Sequence, residues 1–221
     1  MKNTLYYILI FYSILSCISK QDKTWEELNK SNDHTKFIPY LLNNTNSSNF
    51  EKALDKYYFY KNEYIKNNMP PPIDCFSSCV TIEINRNGEI FFRDENVQID
   101  TLKGRLMEFI NNEKKLPDLP SKDIITDNQN IERKISRAIF EITYHESQIE
   151  KLKSILQVIN NSLNEYSRYL SNSWFNKEFE NLNSKNQKLI DSITKSKVRI
   201  RKAKDFELKV PPPPEINLDS F

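Results

Sequence analysis

Between residues 79 and 110 the hydrophobic pattern changes its period. Val80, Ile82 and Ile84 alternate with polar neighbours, the two-residue period of a half-buried strand. Asn87-Gly88 follows and predicts a type I′ hairpin turn, because both residue types tolerate the positive φ that turn requires. Residues 89–93 then return antiparallel as a second strand. From Leu102 the period lengthens: Leu102, Leu106, Phe109 and Ile110 fall on one helical face, and Asp100 is placed to cap that helix with its carboxylate. A ββα unit is therefore expected, entered from the stiff Pro70-Pro71-Pro72 leader.

Downstream, residues 116–120 read as a proline-bounded loop and residues 124–131 as polar and irregular. Ala138–Tyr144 reads as a buried strand. Ile149, Leu152, Leu156, Ile159, Leu163, Tyr166 and Leu170 are spaced alternately three and four apart, a heptad stripe. Two readings fit it, a long helix covering a sheet and the seam of a homodimer. Trp174 and Phe175 are expected to end that helix. A shorter helix over residues 185–195 carries Leu189, Ile190 and Ile193, and residues 198–202 alternate as a last strand. Upstream, Leu54, Tyr57, Tyr58, Lys61, Tyr64 and Ile65 predict a helix over residues 49–66, a second helix is expected near 24–31, and residues 37–42 supply apolar anchors. The fold class is α+β, a small two-layer domain in which a hairpin and further strands pack on two or three helices. The organisation is a targeting segment (1–17), a helical leader (18–68), the domain (69–206) and a proline-rich tail (207–221) whose Pro211–Pro214 run favours an exposed polyproline conformation.

Composition narrows the function classes. With 32 basic and 30 acidic residues the net charge is +2, which gives no electrostatic footprint for nucleic acid. The Tyr- and Lys-rich helix at 49–66 is accordingly read as packing its tyrosines on the domain. Two glycines in 221 residues leave no phosphate-cradling loop or dinucleotide fingerprint, so no cofactor is expected. His34 and His145 are far apart and no Cys-x-x-Cys spacing exists, so no metal site is expected. Glu26-Glu27 and Glu146 with Glu150 are carboxylate pairs at helix-like spacing, and His145 adjoins Glu146. Surface acids are the ordinary reading of such pairs, no nucleophile is placed beside the histidine, and no catalytic residue is assigned. Residues 195–204 hold six cations, suited either to an anionic cell wall or lipid headgroup or to an edge strand protected by charge.

The N-terminus is a targeting segment: Lys2, the uncharged run Leu5–Leu15, then Ser16-Cys17. The run is shorter than the roughly 20 residues a spanning helix needs. Three outcomes fit, namely a lipoprotein site with Cys17 lipidated, a plainly cleaved signal and a short uncleaved anchor. All place the body outside the cytoplasm, and the first and third tie it to a membrane. In that compartment Cys75 and Cys79 either bridge across a very small loop turned at Ser77-Ser78 or stay as two thiols.

In order and spacing, residues 69–206 resemble the periplasmic part of the ExbD/TolR family of biopolymer transport proteins in its Bacteroidetes form. The elements that carry the resemblance are the proline leader, the strand–turn–strand, and the helix from Leu102-Lys103 to Glu108-Phe109-Ile110. They continue with Leu119-Pro120, the strand ending Ile142-Thr143-Tyr144, the long helix through Leu156–Tyr169, the turn through Phe175–Leu182 and the last strand Val198–Ala203. The resemblance implies a small α+β domain that tends to dimerise and contacts ExbB- or TonB-like envelope proteins or the cell wall. Family members also carry an intramembrane aspartate for proton flow. Leu5–Leu15 has no ionisable residue and Asp22 lies beyond it, so the motor role does not carry over.

Overall fold

The computed structural model describes residues 24–68, 78–127 and 130–203. Helix α1 spans residues 24–29, α2 Phe37–Asn43 and α3 Phe50–Asn68. The body then runs β1 (Cys79–Ile84), β2 (Ile90–Phe92), β3 (Glu95–Val97), α4 (Ile99–Asn111), β4 (Lys122–Thr126), β5 (Glu132–Ser136), β6 (Ile139–Tyr144), α5 (Ile149–Phe175), α6 (Ser184–Lys195) and β7 (Val198–Lys202). Five strands form a mixed sheet in the order β3-β2-β1-β6-β7, and β4 and β5 form a separate hairpin. The architecture is α+β, as the change of period along the chain requires.

The expected first hairpin is present, with Ile82 opposite Phe92 and Ile84 opposite Ile90. Its turn differs from expectation. Gly88 has φ +79°, whereas Asn87 is absent from the positive-φ residues. The Gly88 N–H donates to Asn85 O and the Asn85 N–H to Glu89 O, so the loop is three residues long with its left-handed step at glycine. Asn85 explains the choice: its Oδ1 accepts from the Asn87 and Glu89 N–H groups, both at 3.0 Å, an Asx arrangement that competes with the two-residue turn. The two-residue turn with both φ positive occurs next door, at Arg93 (52°) and Asp94 (67°). It returns the chain into β3, a strand the periodicity did not reveal because it is only three residues long.

Two further expectations are corrected. Gln98, not Asp100, occupies the N-cap of α4 and makes no side-chain cap bond; Asp100 sits in the first turn, where a carboxylate still meets the positive end of the helix dipole. Of the stretch 124–131 expected to be irregular, residues 124–126 are the end of β4, where Ile124 pairs with Lys134 and Thr126 with Glu132, while Asp127, Asn130 and Ile131 lie outside the strands. Trp174 and Phe175 end α5 as expected, and the stop is Asn176 at φ 50°, whose N–H donates to Asn172 O.

The sheet buries one face. Val80, Ile82, Ile84, Phe140, Ile142, Tyr144, Val198 and Ile200 are all buried, while Thr81, Glu83 and Arg201 on the intervening positions are exposed. Helix α4 meets this face through Phe109, 6.3 Å from the Phe92 ring and 6.0 Å from the Phe140 ring. The heptad stripe of α5 is consumed inside the chain: Leu152, Leu156, Ile159, Leu163, Tyr166 and Leu170 are all buried, and Ile149 packs partly buried against the core. It is a covering helix, and no apolar seam is left for a partner's α5. The leader helices join the same core through Phe37, Leu41, Phe50, Ala53 and Tyr57.

Candidate interaction surface

The two edges of the five-stranded sheet are treated differently. At β7 the edge backbone is met by α3: Lys61 Nζ donates to Ile200 O at 3.1 Å, and the Tyr57 hydroxyl is hydrogen-bonded to the Ile200 backbone. The expected edge strand is therefore real, but a helix covers it in addition to its charges. At β3 the edge residues Glu95 and Asn96 are exposed.

Beside β3 lies a cleft with two adjoining hollows of about 270 and 400 Å³, which share Glu108, Leu116 and Leu119. Its apolar floor is Phe92, Met107, Phe109, Leu116 and Leu119, and its rim carries Arg93, Glu95, Arg105, Glu108 and Asp118. Several rim charges are paired, Arg105 with Glu95 at 3.2 Å and Arg93 with Asp118 at 3.5 Å. Leu116 keeps 39% of its surface exposed, an apolar contact offered at the mouth.

The wall of this cleft is the loop after α4, and one side chain organises it. Asn112 is buried with φ 39°. Its Nδ2 donates to Leu116 O (3.1 Å), Leu119 O (3.3 Å) and Pro120 O (3.1 Å), and its Oδ1 accepts from the Leu116 N–H at 2.8 Å. Asparagine fits because it tolerates the left-handed region and carries both donors and an acceptor on a short stem. A sequence signal existed in Asn placed just after the last apolar helical residue, the usual helix-stop position.

The remaining sequence candidates are dispersed. Glu26 and Glu27 are both exposed on α1. Glu146 pairs with Lys202 at 2.7 Å and Glu150 with Lys153 at 2.6 Å, so the second carboxylate pair is divided between two lysines. His145 Nδ1 accepts from the Ser147 N–H at 3.2 Å and caps the turn that leads into α5. The six cations expected on one strand are separated. Lys195 pairs with Asp191 at 3.1 Å on α6, Arg201 pairs with Glu141, and Lys204 lies outside the described residues. Cys79 opens β1 and is disulfide-bonded; Cys75 and Cys17 lie outside the described residues, as do Leu5–Leu15, Pro70–Pro72 and Pro211–Pro214.

A buried ammonium and a buried ion pair were missed by sequence reasoning. Lys197, 6% exposed, donates from Nζ to Ser136 O and Ala138 O; burial pulls its ammonium down to about 8, with Asp123 opposing. Asp127 and Arg133 form a 2.9 Å ion pair whose carboxylate is 1% exposed. The Arg133 guanidinium lies 5.4 Å from the Phe175 ring and 6.0 Å from the Trp174 ring, which pins the β4–β5 hairpin to the end of α5. Burial also pushes the Tyr166 phenol up to about 12 although the Ser136 N–H donates to it. Burial of Tyr58, and its neighbour Tyr144, push the Tyr58 phenol upward.

Among the described residues no group of three or more His, Cys, Asp or Glu side chains is placed to hold a metal ion, and no helix is long and apolar enough to cross a membrane. Comparison with protein-family models, with curated proteins and with solved structures found no match to this chain.

Proposed function

We propose that the chain is a non-catalytic cell-envelope domain of the ExbD/TolR type, acting by protein contact in or beside a TonB-dependent biopolymer transport system. The observation that carries the reading is the succession β1–β2–β3, helix, separate β4–β5 hairpin, strand, long helix, short helix, strand, with β1, β2, β3, β6 and β7 in one sheet, entered from a proline leader behind a targeting segment. The cleft beside β3 is the contact face in this reading. An edge strand with exposed residues next to an apolar-floored hollow suits an extended peptide, which takes main-chain bonds from the edge and side-chain pockets from the floor. Motor function is not part of the proposal, because Leu5–Leu15 lacks an ionisable residue. Affinity purification from native membranes tests it. An ExbB- or TonB-like protein is expected to co-purify and to be lost when Leu116 is changed to Asp; co-purification of neither protein rejects the reading.

A second reading follows from Ser16-Cys17 and the missing intramembrane acid: a structural envelope lipoprotein, held by lipid at Cys17, that binds peptidoglycan or an outer-membrane partner. Retention on purified sacculi favours it over the first. An intact N-terminus or an unmodified Cys17 by mass spectrometry removes the lipid anchor from both.

A further inference from the structure

Seven large apolar side chains of the described residues are conspicuously exposed, and three of them, Phe59 (60%), Tyr64 (47%) and Ile65 (43%), sit within two turns of α3. Phe59 and Tyr64 line a groove of about 660 Å³ between α3 and residues 32–35, together with His34, Tyr60 and Asn67. Its rings are already arranged. His34 and Tyr64 lie 5.0 Å apart between centroids, and Phe59 and Tyr60 meet edge-on at 5.2 Å. The groove's walls are mainly aromatic, with the amides of Asn32 and Asn67 and the phenols of Tyr60 and Tyr64 among them.

Aromatic-lined grooves with interspersed hydrogen-bond donors recognise polyproline, whose rings pack on the aromatic faces and whose carbonyls have no internal partner. The chain carries such a ligand itself. Its last described residue is Ala203, directly after β7, and Lys202 Nζ lies 5.3 Å from the Tyr58 ring on α3. From Tyr58 to Tyr64 is about 9 Å along the helix axis. The seven residues 204–210 precede Pro211 and span up to roughly 23 Å when extended, enough to turn back along α3. Pro211–Pro214 would cover about 12 Å as a polyproline helix, the length of α3 from Phe59 to Asn67 at about 1.5 Å per residue. A tether this short places the prolines at a millimolar effective concentration, so even a weak contact is filled.

We propose that the α3 groove is a polyproline-binding site occupied in cis by the chain's own Pro211–Pro214 tail. This inference is independent of the transport reading, since the groove and the cleft share no lining residue and it invokes no envelope partner.

The test uses the full chain in detergent and a full-chain variant with Pro211→Ser, Pro212→Ser, Pro213→Ser and Pro214→Ser. A synthetic peptide of residues 207–221 is the probe, titrated by calorimetry. The peptide is expected to bind the serine variant at least tenfold more tightly than the unaltered chain. Adding Phe59→Ala or Tyr64→Ala to the serine variant is expected to weaken binding tenfold or more, with circular dichroism confirming that these exposed substitutions leave the fold intact. Equal binding to the unaltered chain and the serine variant overturns occupancy in cis. No binding to the serine variant, or binding indifferent to Phe59 and Tyr64, overturns the site. Cross-linking that joins the tail of one molecule to α3 of another also overturns the cis arrangement.

Discussion

Replacing Asn112 with alanine isolates the contribution of one side chain to the cleft wall. The substitution deletes the acceptor for the Leu116 N–H and the amide that serves the carbonyls of Leu116, Leu119 and Pro120. One amide has two hydrogens, so three carbonyls share two bonds, and the loss amounts to about three hydrogen bonds at about 1 kcal/mol each. Alanine must also hold φ 39°, which adds about 1 kcal/mol. Water entering the loosened loop recovers part of this, and the expected net loss is about 3 kcal/mol. Asn112→Gly loses the same bonds without the backbone penalty and should be milder by about 1 kcal/mol. Urea unfolding followed by tryptophan fluorescence is the assay, with a lowered midpoint at unchanged slope expected. In thermal melts the alanine variant should fall by roughly 6–12 °C. An alanine variant within 1 kcal/mol of the unaltered protein, or a glycine variant less stable than the alanine one, refutes the assignment of Asn112 as the loop's organiser.

Lys197 makes a pH prediction with a definite sign. Its folded pKa of about 8 lies below the ordinary lysine value, so between about pH 8 and 10.4 the unfolded chain holds the proton that the folded chain has released, and stability rises with pH there. Denaturant midpoints at pH 7, 8, 9 and 9.5 should show this rise, and Lys197→Met should flatten it. Tyr166, pushed up to about 12, acts oppositely: its contribution is complete below about pH 10 and is lost as pH climbs through 12. For the buried Asp127–Arg133 pair, Arg133→Met should cost about 3 kcal/mol, the low end for removing one partner of a buried pair, because the carboxylate keeps the Ile131 N–H at 3.0 Å. Adding Asp127→Asn should recover most of that loss in a double-mutant cycle, and additive losses would refute the coupling.

The residues that carried a strong period were legible in advance. Val80–Ile84 and Ala138–Tyr144 alternate, Leu102–Ile110 and Leu152–Leu170 follow a helical face, and each forms the element its spacing requires. The elements that were misread are short or polar. β3 is three residues long, and β4 carries mostly exposed positions, so neither leaves an alternation to detect. The turn was misjudged because the strongest dipeptide signal, Asn87-Gly88, was outcompeted by the side chain of Asn85 two positions earlier.

By itself the sequence determined which segments must hide one face, since burial of apolar stripes is set by spacing along the chain. It also shows the uncharged run Leu5–Leu15, the proline segments and, with only two glycines, no glycine-rich phosphate loop. Tertiary structure alone decided what those faces hide against. It turned a heptad stripe from a candidate dimer seam into a covering helix, sent Lys195, Lys197 and Arg201 of the basic run to an ion pair on α6, a buried backbone site and a cross-strand pair, and gathered Asn112, Leu116 and Phe92 into one cleft. The physical reason is that hydrogen bonds and ion pairs here join residues as far apart as Lys61 and Ile200. Such pairings depend on the closure of the whole chain, whereas periodicity records only the side of an element that faces inward.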